Sequence, residues 1–213
     1  MSVLSLRNVS FAYTSTLVLK DLSYEFEKGK IYCISGKSGA GKTTLLSILS
    51  GLAQPTSGDI YFNEKNITSI DTYELRSKYL GVIFQSYNLL TKFTAIENVI
   101  LSMDIANVKG ISKIEKAKEL LTSVGLNEDE MNRRVLHLSG GQQQRVAIAR
   151  ALSFNPDIIL ADEPTGNLDP ETEKEIMDIF KELANNGKCI IIVSHSQDVA
   201  NMCDIKYNLI KQK

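Results

Sequence analysis

Cysteine, proline, histidine and any excess of one charge are scarce in this 213-residue chain, and each shortage removes a class of protein. The three cysteines, Cys33, Cys189 and Cys203, are odd in number and far apart, with no C-x-x-C pair. That excludes a disulfide framework and a zinc site, and fits a reducing cytoplasm in which the thiols serve as small buried hydrophobes. Against 25 Asp plus Glu stand 24 Lys plus Arg, a net charge of −1, and no basic block could neutralise a run of phosphates; nucleic acid is not an expected partner. No segment reaches the ~18 uninterrupted apolar residues of a membrane span. The start MSVLSLRNVSFAY lacks a basic region followed by an apolar one, so the expectation is a soluble, unsecreted chain. With 4 Pro, 13 Gly, 43% hydrophobic and 23% charged residues, the composition is neither disordered nor fibrous.

What is present is an alternation of elements. From Val3 to Phe26 apolar and polar positions alternate around Thr14-Ser15-Thr16, which reads as an antiparallel hairpin. IYCIS is a short apolar strand that stops at a glycine-rich loop and restarts as the helix TTLLSILSGL, closed by Gly51. QPTSGD turns into the strand GDIYF, and YLGVIF is a further strand ending at Gln85. Two helices follow, TAIENVILSMDIANV and SKIEKAKELLTSVG, the second with a capping box of Ser112 and Glu115. Glu128-Asp129-Glu130 reads as a solvated turn. After Ser139 come a helix, the strand DIILA, a helix with a capping box of Thr172 and Glu175 closing at Gly187, the strand CIIIVS, a short helix and a terminal strand. Helices alternating with fully apolar strands predict an α/β fold, its parallel sheet covered on both faces.

GKSGAGKT, Gly36 to Thr43, fits G-x-x-x-x-G-K-[ST] and sits after a strand and ahead of a helix, as that motif requires. Glycines let successive backbone N–H groups curl round phosphate oxygens, the helix N-terminus adds partial positive charge, Lys42 reaches the outer phosphates and the Thr43 hydroxyl can ligate Mg²⁺. The bare pattern arises by chance in roughly one chain of this length in a hundred, so its strand-to-helix context matters. DIILADEP brings two carboxylates to the end of a buried strand, where open α/β sheets bind ligands. There Asp162 would hold Mg²⁺ and Glu163 would orient an attacking water. Either motif alone has a bland reading, a glycine turn or two solvated acids; together they specify nucleotide hydrolysis.

GKSGAGKT, LSGGQQQR and LADE, in that chain order, resemble the ATP-binding subunit of ABC transporters over essentially the whole length. The resemblance implies a P-loop NTPase core with a mostly parallel sheet, an N-terminal antiparallel β subdomain and a helical subdomain. It implies one domain over 1–213: about 1–84 and 139–213 form a RecA-like core plus antiparallel β, and about 85–138 a helical lobe. By the same resemblance Gly36, Lys37, Ser38, Gly39, Ala40, Gly41, Lys42, Thr43 and Thr44 hold ATP, Tyr13 stacks on adenine, and Gln85 senses Mg²⁺ and the attacking water. His195 holds the γ-phosphate, and Asn167-Leu168-Asp169 crosses to a second subunit. Taken singly, Tyr13 is a sheet-packing aromatic, Gln85 a surface polar residue and His195 a core or capping histidine; their joint order selects the functional reading. Metal ligation is assigned to Thr43, Gln85 and Asp162, and catalysis to Glu163, His195, Gln85 and Lys42.

LSGGQ carries no reactive group. In the family two copies face head to tail, and Ser139, Gly140, Gly141 and Gln142 of one close over ATP in the other, with a helix from about Gln142 aiming its positive end at the γ-phosphate. The implied partners are a second copy and integral membrane permease subunits docking on the helical lobe, at the cytoplasmic face of the membrane as a peripheral subunit; the resemblance also leaves room for an extracytoplasmic adaptor. FQSYNLLTKFTAIENV and EPTGNLDPET look most like ATPases of macrolide and antimicrobial-peptide exporters and of lipoprotein release. Thr91 departs from a usual proline, and Val135-Leu136-His137 from a common Tyr-Pro nearby. The sequence ends soon after its last strand, so an importer's regulatory C-terminal domain is not expected. The competing readings are a soluble ABC ATPase working on DNA or ribosomes, one that transmits signal or force without transport, and a phosphate-loop kinase or GTPase, which would lack LSGGQ.

Overall fold

The computed structural model describes residues 2–14 and 16–212. Strands β1 (Ser2–Tyr13) and β2 (Thr16–Glu27) form the expected hairpin; Ser15, in its turn, lies outside the described residues. β3 (Ile31–Gly36) leads into helix α1 (Lys42–Leu49), and β4 (Ser57–Phe62) and β5 (Lys65–Asn66) follow. A short stretch containing α2 (Thr72–Glu74) and a π-helical turn then reaches β6 (Leu80–Ile83). Next come α3 (Ala95–Ile105), α4 (Lys113–Ser123), α5 (Glu128–Met131) and α6 (Gly140–Leu152). β7 (Ile158–Asp162), α7 (Pro170–Asn185), β8 (Cys189–Val193), α8 (Gln197–Met202) and β9 (Ile205–Leu209) complete the order.

The strands make two sheets. One is antiparallel, β2-β1-β4-β5; the other is wholly parallel, β6-β7-β8-β3-β9. The apolar runs serve both faces of the parallel sheet. Ile31 and Cys33, Ile159 and Ala161, and Ile190 and Ile192 pack with α3, α4, α6 and α7 on one side. Their alternate neighbours Tyr32 and Ile34, Ile158 and Leu160, and Ile191 and Val193 pack with α1 and the antiparallel sheet on the other. A period of two with both phases buried is why IYCIS, DIILA and CIIIVS read as continuous apolar stretches.

Helix starts correct four expectations. At α4, Ser112 accepts from the Glu115 N–H, but only this half of the expected reciprocal box is formed. At α7 the cap is Asp169, followed by Pro170; Thr172 lies inside the first turn and donates its N–H to Asp169 Oδ1 at 3.0 Å. A proline at the first helical position needs no partner for its missing N–H, so the helix starts earlier than the Thr-Glu pair suggests. Glu175 instead pairs with Arg145 of α6 at 2.6 Å. The acidic run Glu128-Asp129-Glu130 is a helical turn, α5, because Asn127 and Glu130 close a full capping box. The helix expected from about Gln142 begins at Gly140, with Ser139 as its cap.

Candidate active site

Among the described residues, seven of the eight α-helices, α2 to α8, have a side-chain oxygen accepting from their first-turn N–H groups. Helix α1 has none: its cap is Gly41, at φ 93. An uncapped N-terminus carries unsatisfied donors and the positive end of the helix dipole, which is an anion site. Gly41 is required twice over. Its φ is left-handed, and a Cβ there would stand 2.7 Å from Leu19 and 2.8 Å from Val18 of the hairpin.

The open helix end faces a cavity of about 950 Å³. The phosphate loop forms its floor from Gly36 to Thr44, except Ala40, which is buried behind the loop. Gln85, Asp162, Glu163 and His195 line the wall above it. These come from the carboxyl ends of β3, β6, β7 and β8, four neighbouring strands of one parallel sheet. β6 itself stops at Ile83, so Gln85 sits on the loop beyond it. Lys42 folds back to donate to the Gly36 carbonyl at 2.9 Å, holding its ammonium over the loop. Burial raises the Asp162 pKa above the ordinary carboxylate value, opposed by a hydrogen bond with Thr43, reinforced by the charge of Glu163 and opposed again by Lys42.

Glu163 is held tightly. Its Oε2 accepts from the Ser194 hydroxyl at 3.0 Å and the His195 N–H at 3.3 Å, and its Oε1 lies 2.8 Å from His195 Nδ1. Its backbone has φ 45, left-handed for a non-glycine residue and fastened by its N–H to the Val193 carbonyl at 2.9 Å. Strain of this kind persists only where surroundings over-determine it. Ser194, 1% exposed, was not singled out from the sequence; the signal was a small hydroxyl residue immediately before His195 at a strand end. Val18 and Asn208 also line the cavity unforeseen, the first because hairpin and phosphate loop are far apart in sequence.

Thr43 and Asp162, joined by their hydrogen bond, and Gln85 nearby give an all-oxygen set suited to Mg²⁺. Among the described residues no three His, Cys, Asp or Glu side chains converge, so an ion here would draw its other ligands from phosphate and water.

Other candidate residues stand outside this cavity. Tyr13 is 57% exposed on the hairpin rim, its ring edge-on to Phe11 at 4.8 Å. Ser139, Gly140, Gly141 and Gln142 are absent from the cavity wall, as is Asp169. Ser139 and Gln142 form a reciprocal capping box: the serine oxygen accepts from the Gln142 N–H at 3.3 Å and the glutamine Oε1 accepts from the Ser139 N–H at 2.8 Å. Gln142 also donates to Glu130 at 2.7 Å, so its side chain is used within its own subunit, whereas the Ser139 hydroxyl accepts at the cap and donates to none of the described residues. Gly141 packs on α7, where a Cβ would meet the Thr172 methyl at 2.7 Å.

Residues 19–166 match the ABC transporter family. The lipoprotein-releasing system ATP-binding protein LolD of Rickettsia bellii is 42% identical over 97% of this chain and 95% of its own length. The macrolide export ATP-binding/permease protein MacB of Vibrio parahaemolyticus is 42% identical over 89% of this chain, which corresponds to 29% of that longer protein. Among solved structures, the post-hydrolysis dimer of the ATP-binding cassette MJ0796, bound to ADP and Pi, superposes with a TM-score of 0.88 at 36% identity, covering 97% of this chain and 94% of that one. The chain belongs to the ABC transporter family, as an ATP-binding and ATP-hydrolysing subunit of the LolD and MacB type.

Proposed function

We propose that two copies of this chain, facing head to tail, close on two ATP molecules and by hydrolysing them drive a separately encoded membrane permease, an exporter of lipoprotein, macrolide or antimicrobial-peptide type. The observation that carries the reading is the division of the site. One wall bears the phosphate loop, Asp162, Glu163 and His195, while Ser139, Gly140 and Gly141 form a capped helix start outside that cavity. MacB, whose name joins ATP-binding and permease functions, aligns with this chain over 29% of its length, which supports a permease as the partner. The MJ0796 dimer supports the second copy.

In this reading 1–213 is one ATPase domain, with about 85–138 as the helical lobe that receives the permease. An apolar groove of about 470 Å³ runs along that side, with Leu52, Leu90 and Ile105 exposed on it. No described helix is long and apolar enough to cross a membrane, so anchorage would come through that groove, at the cytoplasmic face. An extracytoplasmic adaptor belongs to the same proposal.

Tyr13 stacks on adenine, and the N–H groups from Gly36 to Thr44 with Lys42 bind the phosphates. Thr43, Gln85 and Asp162 would hold a Mg²⁺ ion, which would neutralise charge on the phosphate oxygens. From the facing copy, Ser139 donates its hydroxyl proton to the γ-phosphate, Gly140 and Gly141 present N–H groups, and Asp169 contacts the first copy. Glu163 orients water, and His195 exchanges its contact with Glu163 for one with the γ-phosphate. Closing on ATP and opening after hydrolysis is the work delivered, because ATP binds the closed pair better than the open one. Affinity purification from detergent-solubilised membranes tests the permease assignment: an integral membrane protein co-purifying in stoichiometric amount is expected, and recovery of ribosomes or DNA in its place contradicts it.

A further inference from the structure

The two residues Tyr87 and Asn88, just beyond Gln85, both take left-handed backbone, with φ 60 and φ 50. Consecutive left-handed residues without glycine persist only where something holds them. Here the holder is Arg150, in the last turn of α6. Its Nη1 donates to the Asn88 carbonyl at 2.5 Å and its Nη2 to the Tyr87 carbonyl at 2.8 Å. Arg150 has no carboxylate partner among the described residues, and burial lowers its pKa. A desolvated guanidinium whose fork is spent on two adjacent carbonyls braces that turn.

The same turn is touched at the other end of the helix. A Cβ on Gly140 would stand 3.2 Å from the Tyr87 hydroxyl. From Gly140 to Arg150 helix α6 rises about 15 Å, and an arginine on a helix leans back toward the N-terminus, so the two contacts converge on one loop. Leu90, farther along, is tied to α3: its N–H donates to Asn98 Oδ1 at 2.8 Å, and its carbonyl accepts from Asn98 Nδ2 at 3.2 Å. Arg150 itself lines the apolar groove and is not part of the phosphate cavity.

We propose that Arg150 is a positioning residue for hydrolysis: it fastens the turn after Gln85 to helix α6, so that Gln85 and the Ser139–Gly141 helix start move as one body. The inference rests on the reading that both of those groups meet nucleotide. Arg150 stands outside the phosphate cavity and acts through Gln85. Because ATP is held mainly by the phosphate loop, loosening the turn lowers turnover and spares binding.

The test compares Arg150→Ala and Arg150→Lys with the unaltered chain in steady-state ATPase, in ATP binding, and in hydrogen exchange of the backbone amides from 85 to 90. For Arg150→Ala, kcat falls about tenfold while KM stays within about twofold, and exchange in that segment accelerates while β3 and α1 are unchanged. Arg150→Lys, able to serve one carbonyl, recovers part of kcat and part of the protection. The inference is overturned if kcat stays within about twofold of the unaltered chain, if exchange at 85–90 does not change, or if ATP binding is lost together with kcat and lysine does no better than alanine. Glu163→Gln is run alongside: its failure to dimerise with ATP would count against the two-copy reading, while the exchange result still decides whether Arg150 holds the turn.

Discussion

His195 Nδ1 lies 2.8 Å from Glu163 Oε1, although His195 is 69% exposed and Glu163 only 11%. An exposed ring is thus docked on a largely buried, anchored carboxylate. The carboxylate is the fixed point, held also by Ser194, and in the proposed mechanism the imidazole is the part that leaves for a phosphate. Removing the ring as His195→Ala is expected to cut kcat by about a hundredfold and leave ATP binding within a few-fold. Stopped-flow binding with a fluorescent ATP analogue, beside a phosphate-release assay, reads both; a variant that still turns over at the normal rate would show the contact to be idle.

Ser139 caps α6 with one lone pair, and in the proposed two-copy arrangement its proton goes to the facing nucleotide. Ser139→Arg places a bulky cation where the γ-phosphate would approach, so turnover is expected to vanish while the isolated chain still binds ATP. Loss of the cap adds about 1 kcal/mol of destabilisation, visible as a lower urea midpoint. Equal loss of binding and hydrolysis would contradict the division of labour between the two walls.

Gly141 tests packing between α6 and α7. A methyl group there would sit 2.7 Å from Thr172 Cγ2, on the same face of α6 from which Arg145, one turn on, pairs with Glu175 of α7. Gly141→Ala is expected to destabilise by about 1–3 kcal/mol through overpacking, and Thr172→Ser in the same chain to recover most of it by removing the obstructing methyl. Denaturant titrations of both variants measure this.

Asp162 is kept in place at a cost in stability. Its folded pKa is raised, mainly by burial, so the native state holds the Asp162 proton more tightly than the unfolded state does. The stability tied to this proton is therefore fully present below the unfolded pKa and lost as pH rises through the folded one. In EDTA and without nucleotide, Asp162→Asn is expected to melt higher than the unaltered chain at neutral pH, the gap narrowing on acidification through the carboxylate range. A gap that stays constant with pH would remove the titration as its cause.

Cys33, Cys189 and Cys203 are all buried, and burial pushes the Cys189 thiol up to about 12. Thiol reagents at pH 8 are expected to label none of them in the native chain and all three after unfolding, which gives a direct kinetic probe of global opening.

The gathering of these residues round one cavity was legible because it is local: GKSGAGKT and LADEP each place several groups within a few residues, and a strand-to-helix turn dictates their geometry. The parallel core was legible because β3, β7 and β8 are apolar on both phases. What escaped depends on distant packing. Val18 enters the cavity from a hairpin, Ser194 matters only once Glu163 is beside it, and Arg150 reads as an ordinary helix residue until its carbonyl partners are known. The capping box assigned to Thr172 and Glu175 was overruled by Asp169-Pro170, a stronger start signal, and Glu175 was drawn to Arg145.

The central claim is that the two walls of the site meet only between copies. Size exclusion with light scattering on Glu163→Gln measures it most directly. With saturating ATP and Mg²⁺ the variant is expected to run as a dimer near twice the 23.6 kDa chain mass, and without nucleotide as a monomer. A variant that binds ATP yet stays monomeric would contradict the account.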